Sequence, residues 1–299
     1  MDLSAFAERV RPLKAEGAYA VLARAKALEA QGRDIIHLEI GQPDFPTPKH
    51  IAEAGIQAIR RGRTRYTPPA GTADLRAAIA EVAGKWRGIT FSPEEVIVGP
   101  GAKPAIYFAA LALVEPGEEV IIPDPGFPSY AHIVRLAGGV PVPVRLDPDE
   151  LYNFDMQDFR QKINHRTKLI IMNSPSNPTG GVTPLHVLEH IAAEVRRVDA
   201  WVISDEIYCQ LVYEGDAPSI AGLPAGAWDT ASCRRPWPSA SNCWLPTPSA
   251  VPPTSPRPPA RPPCTAIGPP SWPCGRSSAD AAISRWRHST PCRAFAVRC

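Results

Sequence analysis

The chain has 299 residues, enough for one large domain or two modest ones with a sizeable apolar core. Its formal net charge of +2 gives no electrostatic reason to expect nucleic acid or an anionic membrane as a partner. No apolar run approaches the roughly 20 residues that span a bilayer, and the N-terminal stretch lacks the apolar core of a signal peptide. We therefore expect a cytoplasmic protein.

Helical patterns and short apolar runs alternate along the first 228 residues. Apolar residues recur at helical spacing from about Ala18 to Gln31 and after Thr47-Pro48, Thr72 and Thr183-Pro184, with Thr47 and Thr72 as the expected N-caps. A further apolar helix follows a glycine turn near residue 101. Between these helices lie runs of strand length: Val96–Val98, Val120–Ile122, Val140–Val144, Leu169–Met172 and Trp201–Ser204. Strands that alternate with helices predict an α/β domain with a mostly parallel sheet, in which ligands bind beyond the carboxyl ends of the strands.

The composition changes abruptly after Trp228. Residues 229–299 contain no Lys, Glu, Tyr, Gln or Met and are rich in Pro, Ser, Arg, Ala, Cys and Trp. Closely spaced prolines lack an amide donor and fix φ, so we predict a disordered tail. No two of its cysteines form the C-x-x-C pair of a zinc site, and we expect no metal.

Three interpretations of this tail stay open. It is a Pro-rich segment that binds partner proteins, a small disulfide module, or the product of the gene read in the wrong frame. We favour the third, because natural Pro-rich linkers seldom carry several Trp and Cys residues without any Lys or Glu.

Polar turns follow several of the predicted strands. Gly99–Lys103 enters a helix and exposes amide groups that suit a phosphate, or it is a tight turn without a ligand. In the turn 124–130, Phe127 either stacks on a flat ring or lies in the core. In the turn 173–180, Asn177 either donates a hydrogen bond to a ligand or belongs to a purely structural turn.

Asp205 ends the last of the apolar runs. A carboxylate at the end of a buried strand is costly unless a cation or a donor accompanies it, and a protonated pyridine nitrogen would be such a cation. Two alternatives remain, a turn cap and a nucleotidase carboxylate. The second requires a G-x-x-x-x-G-K-[ST] motif, which the chain lacks.

These turns occur together with two further motifs, GQPDFPTP at Gly41–Pro48 and RYTPPAGTADLRAAIA at Arg65–Ala80. In this order and spacing, they resemble the class I and II aminotransferases, the family of pyridoxal 5'-phosphate (PLP) enzymes with the aspartate aminotransferase fold. The resemblance runs from about Ala18 to Trp228. It implies the large domain of a fold type I PLP-dependent transferase, here incomplete. The expected division is an N-terminal arm with part of a small domain at 1–45, the PLP-binding large domain at 46–228, and the tail at 229–299.

The resemblance also implies a role for particular residues. The backbone of Gly101, Ala102 and Lys103 would hold the cofactor phosphate, Phe127 would stack on the pyridine ring, and Asp205 would pair with the ring nitrogen. Further roles fall to Asn177 and Tyr208 at the ring's 3′-oxygen, to Tyr66 at the phosphate of the neighbouring subunit, and to Gly41 at the substrate entrance.

The implied reaction is transfer of an amino group from an amino acid to a 2-oxo acid in a homodimer with shared sites. In the family, a lysine that forms a Schiff base with PLP follows the Asp strand, yet the last lysine here is Lys168, and Asn242 stands where a superficial match would need it. We therefore expect this chain to be inactive or nearly so. Two alternatives stay open: a non-catalytic PLP-binding or partner-binding protein, and another PLP reaction, such as a lyase or decarboxylase, on the same fold.

The missing part also affects the expected fold. In the family, two strands that follow the Asp strand lie between the first strand and the rest of the sheet. Without them the strand Val96–Val98 would be separated from its neighbours, and sheet edges and apolar faces would be exposed. We expect poor solubility or low stability as a result.

Overall fold

The computed structural model describes residues 5, 7–11, 17–41, 45–223 and 294–298. Within these ranges, the longer helices follow the chain order α1 Gly17–Glu29, α2 Lys49–Arg60, α3 Ala73–Arg87, α4 Ala102–Leu113, α5 Ser129–Leu136, α6 Met156–Lys162 and α7 Leu185–Val198. The strands in the same ranges are β1 Glu119–Asp124, β2 Val140–Asp147, β3 Asn153–Phe154, β4 Thr167–Asn173, β5 Trp201–Asp205 and β6 Ala294–Arg298.

The strands form one sheet in the order β3-β2-β1-β4-β5-β6. β1 pairs in parallel with β2 and with β4, and β4 pairs in parallel with β5, whereas β3 and β6 are antiparallel additions at the two edges. The chain leaves β1 toward one edge and later leaves β4 toward the other. The boundary between β1 and β4 is therefore a switch point, where ligands bind in sheets of this kind.

The core lies on both faces of the sheet. Along β4, Leu169 and Ile171 pack on the face that carries α4 and α5, and Ile170 and Met172 pack on the face that carries α6 and α7. All four are buried, as expected for a central parallel strand covered on both sides. This burial fixes the ends of β1, β4 and β5 at one edge of the domain. The α/β fold with a mostly parallel sheet is thereby confirmed.

The prediction of a strand at Val96–Val98 is wrong. The segment is extended, but it belongs to no strand of the sheet, and the Val98 amide donates instead to the Ala70 carbonyl at 3.0 Å. Val96 packs against Leu75 and Ile79 of α3. An extended segment becomes a strand only when another strand lies beside it, and the sheet in the described residues offers none at this position.

Helix starts agree with the sequence to within one residue. Pro48, not Thr47, is the N-cap of α2, and Thr72 caps α3 as predicted, although its side chain makes no capping hydrogen bond. α3 ends at Gly88, which has φ 67°, a conformation that glycine adopts without strain.

The predicted disordered tail falls almost entirely outside the described residues. Residues 294–298 are the exception, since they form β6, which pairs antiparallel with β5 and covers its outer edge. An uncovered edge strand readily accepts another strand, which is the physical reason for this difference from the prediction. The disorder of the other tail residues and the three domain boundaries stay predictions.

No helix within the described ranges is long and apolar enough to cross a membrane.

Candidate active site

The side chain of Asp205 lies at the carboxyl end of β5 and is buried, with 5% exposure. Its Oδ2 accepts a hydrogen bond from the Tyr130 hydroxyl at 2.8 Å, and its Oδ1 accepts one from the Ile207 amide at 3.3 Å. Burial raises the pKa of Asp205 above its usual range, and the nearby charge of Glu206 acts in the same direction. The two hydrogen bonds oppose this rise. Asp205 is thus a buried carboxylate supported by neutral donors.

Tyr130 is the main partner of Asp205 and was not singled out from the sequence. It lies in the first turn of α5, is 1% exposed, and touches the edge of Phe127 with ring centroids 5.5 Å apart and an interplanar angle of 80°. Burial and the charge of Asp205 raise the pKa of Tyr130 far above the physiological range. The phenol therefore stays neutral and donates its proton in a hydrogen bond to the carboxylate. Its position three residues after Phe127 at the start of a helix was the available signal.

Asn173 ties the end of β4 to the end of β5. Its Nδ2 donates to the Asp205 carbonyl at 2.9 Å, and its Oδ1 accepts from the Asn177 amide at 2.7 Å. Asn177 in turn reaches the Tyr208 hydroxyl with its Nδ2 at 3.5 Å. Three residues predicted to meet the ring, Asp205, Asn177 and Tyr208, are thus brought together, and the side chain that connects them is one that sequence reasoning left without a role.

The predicted phosphate loop forms the start of α4. Gly101 is the N-cap with φ 95° and ψ 177°, a conformation essentially restricted to glycine, and its own amide donates to the Gly99 carbonyl at 2.9 Å. Ala102 and Lys103 form the first turn, whose amides point out of the N-terminus of the helix. The Lys103 ammonium lies 5.0 Å from the centre of the Phe127 ring. The first turn of α4 and the predicted ring-stacking residue are therefore neighbours.

Glu206, next to Asp205, has a different environment. Its Oε2 forms an ion pair with Nη2 of Arg87, the last residue of α3, and both side chains are almost completely buried. Its Oε1 accepts hydrogen bonds from the hydroxyls of Ser204 at 2.8 Å and Ser219 at 2.6 Å. Two adjacent carboxylates thus differ: Glu206 is paired with a cation, and Asp205 with neutral groups.

Two predicted residues lie apart from this cluster. The Tyr66 side chain is 91% exposed, in a loop between α2 and α3, and Gly41 lies in an exposed extended segment. Residues 42–44 of the motif around Gly41 are outside the described ranges. The assigned contacts of Tyr66 with a neighbouring subunit and of Gly41 with substrate stay predictions.

The order of the sheet and the groups at its carboxyl edge define a domain of the aspartate aminotransferase fold class. A solved aspartate aminotransferase from Thermus thermophilus, in a structure with maleate, is similar with a TM-score of 0.70 and 42% identity over 73% of this chain and 57% of that one. An alanine aminotransferase from Pyrococcus furiosus is similar with a TM-score of 0.71 and 34% identity over 74% and 56%.

Residues 33–234 match the family model for aminotransferase class I and II, and the chain belongs to this family. A probable aspartate/prephenate aminotransferase of Thermus aquaticus is 44% identical over 70% of this chain and 54% of its own length. A bifunctional aspartate aminotransferase and glutamate/aspartate-prephenate aminotransferase of Petunia hybrida is 42% identical over 77% and 48%. The chain thus spans about half the length of the curated relatives that it matches.

Proposed function

We propose that this site binds PLP and that the protein from which it derives transfers an amino group from an amino acid to a 2-oxo acid. The observation that carries the proposal is Asp205, a buried carboxylate whose contacts in the described residues are a phenol and an amide. Such a group is costly in the absence of a cation, and a protonated ring nitrogen would supply one.

The other residues fit the same cofactor. Phe127 is half-buried, meets Tyr130 in a T-shaped contact and has the Lys103 ammonium over its ring at 5.0 Å, and we propose that a flat ring stacks on its exposed part. Asn177 and Tyr208 are half-buried and mutually within reach, as expected for two groups that share one ring oxygen. The first turn of α4, capped by a glycine, suits a phosphate.

When bound, PLP supplies an electron sink that stabilises negative charge at the substrate carbon that bears the nitrogen. Asp205 would keep the ring nitrogen protonated, because an anion beside that nitrogen favours its charged form. Tyr130 would hold the Asp205 carboxylate in one orientation, and Asn173 would hold the loop of Asn177 beside it. These residues would orient the cofactor and keep its ring nitrogen protonated.

This chain by itself would bind the cofactor without a covalent bond. No lysine follows Lys168, so the family's lysine, which attaches the cofactor and moves the substrate proton, has no counterpart after the Asp strand. We infer that the chain as it stands is inactive or nearly so. The names of the Thermus and Petunia relatives favour a dicarboxylic amino donor for a complete protein, which we propose to be a homodimer.

The test is a PLP titration of the purified chain, followed by the change in cofactor absorbance. We expect saturable binding that is lost in Asp205→Ala and kept in Asp216→Ala, an exposed control. Borohydride reduction, which fixes a covalently attached cofactor to its lysine, should leave PLP removable. Absence of saturable binding in the native chain would refute the cofactor assignment, and reduction that labels Lys103 would refute the non-covalent mode.

A complete protein allows a test of the reaction itself. In a chimera completed with the C-terminal part of the Thermus thermophilus relative, we expect amino transfer that Asp205→Ala reduces strongly. Unchanged activity in that variant would show that the role of Asp205 is assigned incorrectly.

A further inference from the structure

Asp205 and Glu206 are adjacent acidic residues at one strand end, and their side chains meet different elements. Asp205 contacts Tyr130 of α5, whereas Glu206 contacts Arg87 of α3 and Ser219, the N-cap of the short 3-10 helix Ile220–Gly222. Both carboxylates make these contacts in the interior, because Asp205 and Glu206 are each 5% exposed. Charges interact more strongly there than in water.

Both oxygens of the Glu206 carboxylate have partners. One oxygen meets the Arg87 guanidinium, and the other accepts from Ser204 and Ser219. The guanidinium also contacts its own helix, since its Nη1 donates to the Ala83 carbonyl one turn earlier at 3.5 Å. Glu206 thus already has a cationic partner, whereas the partners of the Asp205 carboxylate within the described residues are neutral.

We propose that Arg87 and Glu206 form a charge-balanced pair whose function is to keep Asp205 available to the cationic nitrogen of the cofactor. Both are positioning residues that act through Asp205. Within the described residues, the Arg87 cation offsets the Glu206 anion, whose own charge raises the pKa of Asp205. The identity of the cation rests on the proposed function, but the electrostatic relation between the pair and Asp205 does not.

The proposal makes opposite predictions for the two members of the pair. Without the Glu206 charge, the buried Arg87 cation is unbalanced and favours ionised Asp205, so the pKa of Asp205 falls. Without the Arg87 charge, the Glu206 anion is unbalanced and disfavours ionised Asp205, so this pKa rises. Removal of both charges should return it to its native position. Tyr130, which donates to Asp205, and Tyr208, whose charge acts on Tyr130, are unchanged throughout.

The experiment is a carboxyl titration of Asp205 in the cofactor-free full chain by NMR, with aspartate labelled at the side-chain carbon and the signal assigned with Asp205→Asn. The variants are Glu206→Gln, which keeps the hydrogen-bonding shape, Arg87→Met, which keeps the length, and the double variant. We expect shifts of opposite sign in the single variants and a return in the double one.

A purely structural clamp gives a different pattern. If the pair only holds α3 against the end of β5, both single variants shift the pKa of Asp205 in the same direction. The double variant then does not return this pKa to its native position. That pattern, or no movement in Glu206→Gln, overturns the proposal. Because no cofactor is present, the titration decides the inference even if PLP does not bind.

A second measurement, of binding affinity, tests whether the charge balance affects the cofactor. The affinity for PLP is compared with that for 1-deaza-PLP, which has carbon in place of the ring nitrogen. In Glu206→Gln the unbalanced Arg87 cation repels a second cation beside Asp205, so we expect the native preference for PLP to fall by about tenfold, the factor that corresponds to one pKa unit of interaction. The double variant should restore the preference. A native chain that binds both compounds equally contradicts the proposed function, while the NMR titration still decides the charge balance.

Discussion

The candidate site has two parts that the sheet supports unequally. The ring side is the proposed place of the cofactor ring at Asp205, Asn173 and Tyr130, and the phosphate side is the proposed place of the cofactor phosphate at Gly101 and the first turn of α4. On the ring side, Asp205 and Asn173 end two paired central strands, and Tyr130 is buried beside them. On the phosphate side, Gly101 follows the extended segment Val96–Val98, which pairs with no strand. Both sides carry their sequence motif in full. A motif thus specifies local shape, whereas its rigidity depends on the elements beside it.

The largest expected effect is a loss of folding stability from the ring side's sheet. Ile170→Ala removes a fully buried side chain from β4, and we expect the free energy of unfolding to fall by about 2–5 kcal/mol. Ile97→Ala, at a side chain that is 47% exposed, should change it by less than about 0.5 kcal/mol. Urea denaturation of both variants measures the contrast, and equal losses would remove the distinction between the two sides.

Next in size is the connection between β4 and β5. Asn173→Ala removes a donor and an acceptor that are buried at the strand ends, and it should cost about 1–3 kcal/mol. Asn173→Asp keeps the acceptor for the Asn177 amide, but it puts a second acceptor against the Asp205 carbonyl and adds a buried negative charge. A larger loss than that of alanine is expected for it in thermal denaturation at neutral pH, and a smaller loss would contradict the role of the donor.

On the phosphate side, Gly101→Ala places a side chain at φ 95°, a strained conformation for any residue except glycine. Such strain costs about 1–3 kcal/mol in a rigid frame, and we expect about 1 kcal/mol, because a segment without a strand partner can relax. Gly99→Ala is the control, since glycine there has no positive φ and an added Cβ would meet only an ordinary contact at 3.8 Å. A cost near 3 kcal/mol would show that the phosphate side is as rigid as the ring side.

The smallest effect has the opposite sign. Asp205→Asn removes a buried carboxylate whose ionisation the fold disfavours, and we expect a gain in stability of about 1 kcal/mol at neutral pH. The pKa of Asp205 is raised on folding, so its protonated form stabilises the fold fully below the unfolded pKa, and this contribution is lost as the pH rises through the folded value. The gain should therefore shrink in acid. Thermal melts of both chains across pH measure it, and a gain that grows in acid would contradict the assignment.

The sequence predicted the strands of the central sheet well, because a short, continuous apolar run such as Leu169–Met172 is typical of a strand that is buried on both faces. It failed at Val96–Val98, where the run is equally apolar but strand formation depends on a partner elsewhere in the chain. The family motifs also pointed to Asp205, Asn177 and Tyr208, which the fold places at neighbouring strand ends and turns, while their contacts with a cofactor stay predictions.

The residues that support the site could not be predicted in the same way. Tyr130 meets Asp205 across 75 positions, and Arg87 meets Glu206 across 119. Such contacts depend on how the sheet and helices are assembled, and no local pattern marks them. The sequence showed that a buried carboxylate needs a partner, but not which of two adjacent acids has the cation.

The switch point between β1 and β4 has a consequence for the order of folding. The strands that end at the ring side, and the turns that follow them, lie between residues 119 and 208, and Tyr130 meets Asp205 across 75 positions, against 119 for Arg87 and Glu206. Contacts at smaller sequence separation form earlier, because less loop entropy is lost when they close. We therefore expect the ring side to form first, ahead of α3, which can dock its terminal arginine only on a strand end that already exists.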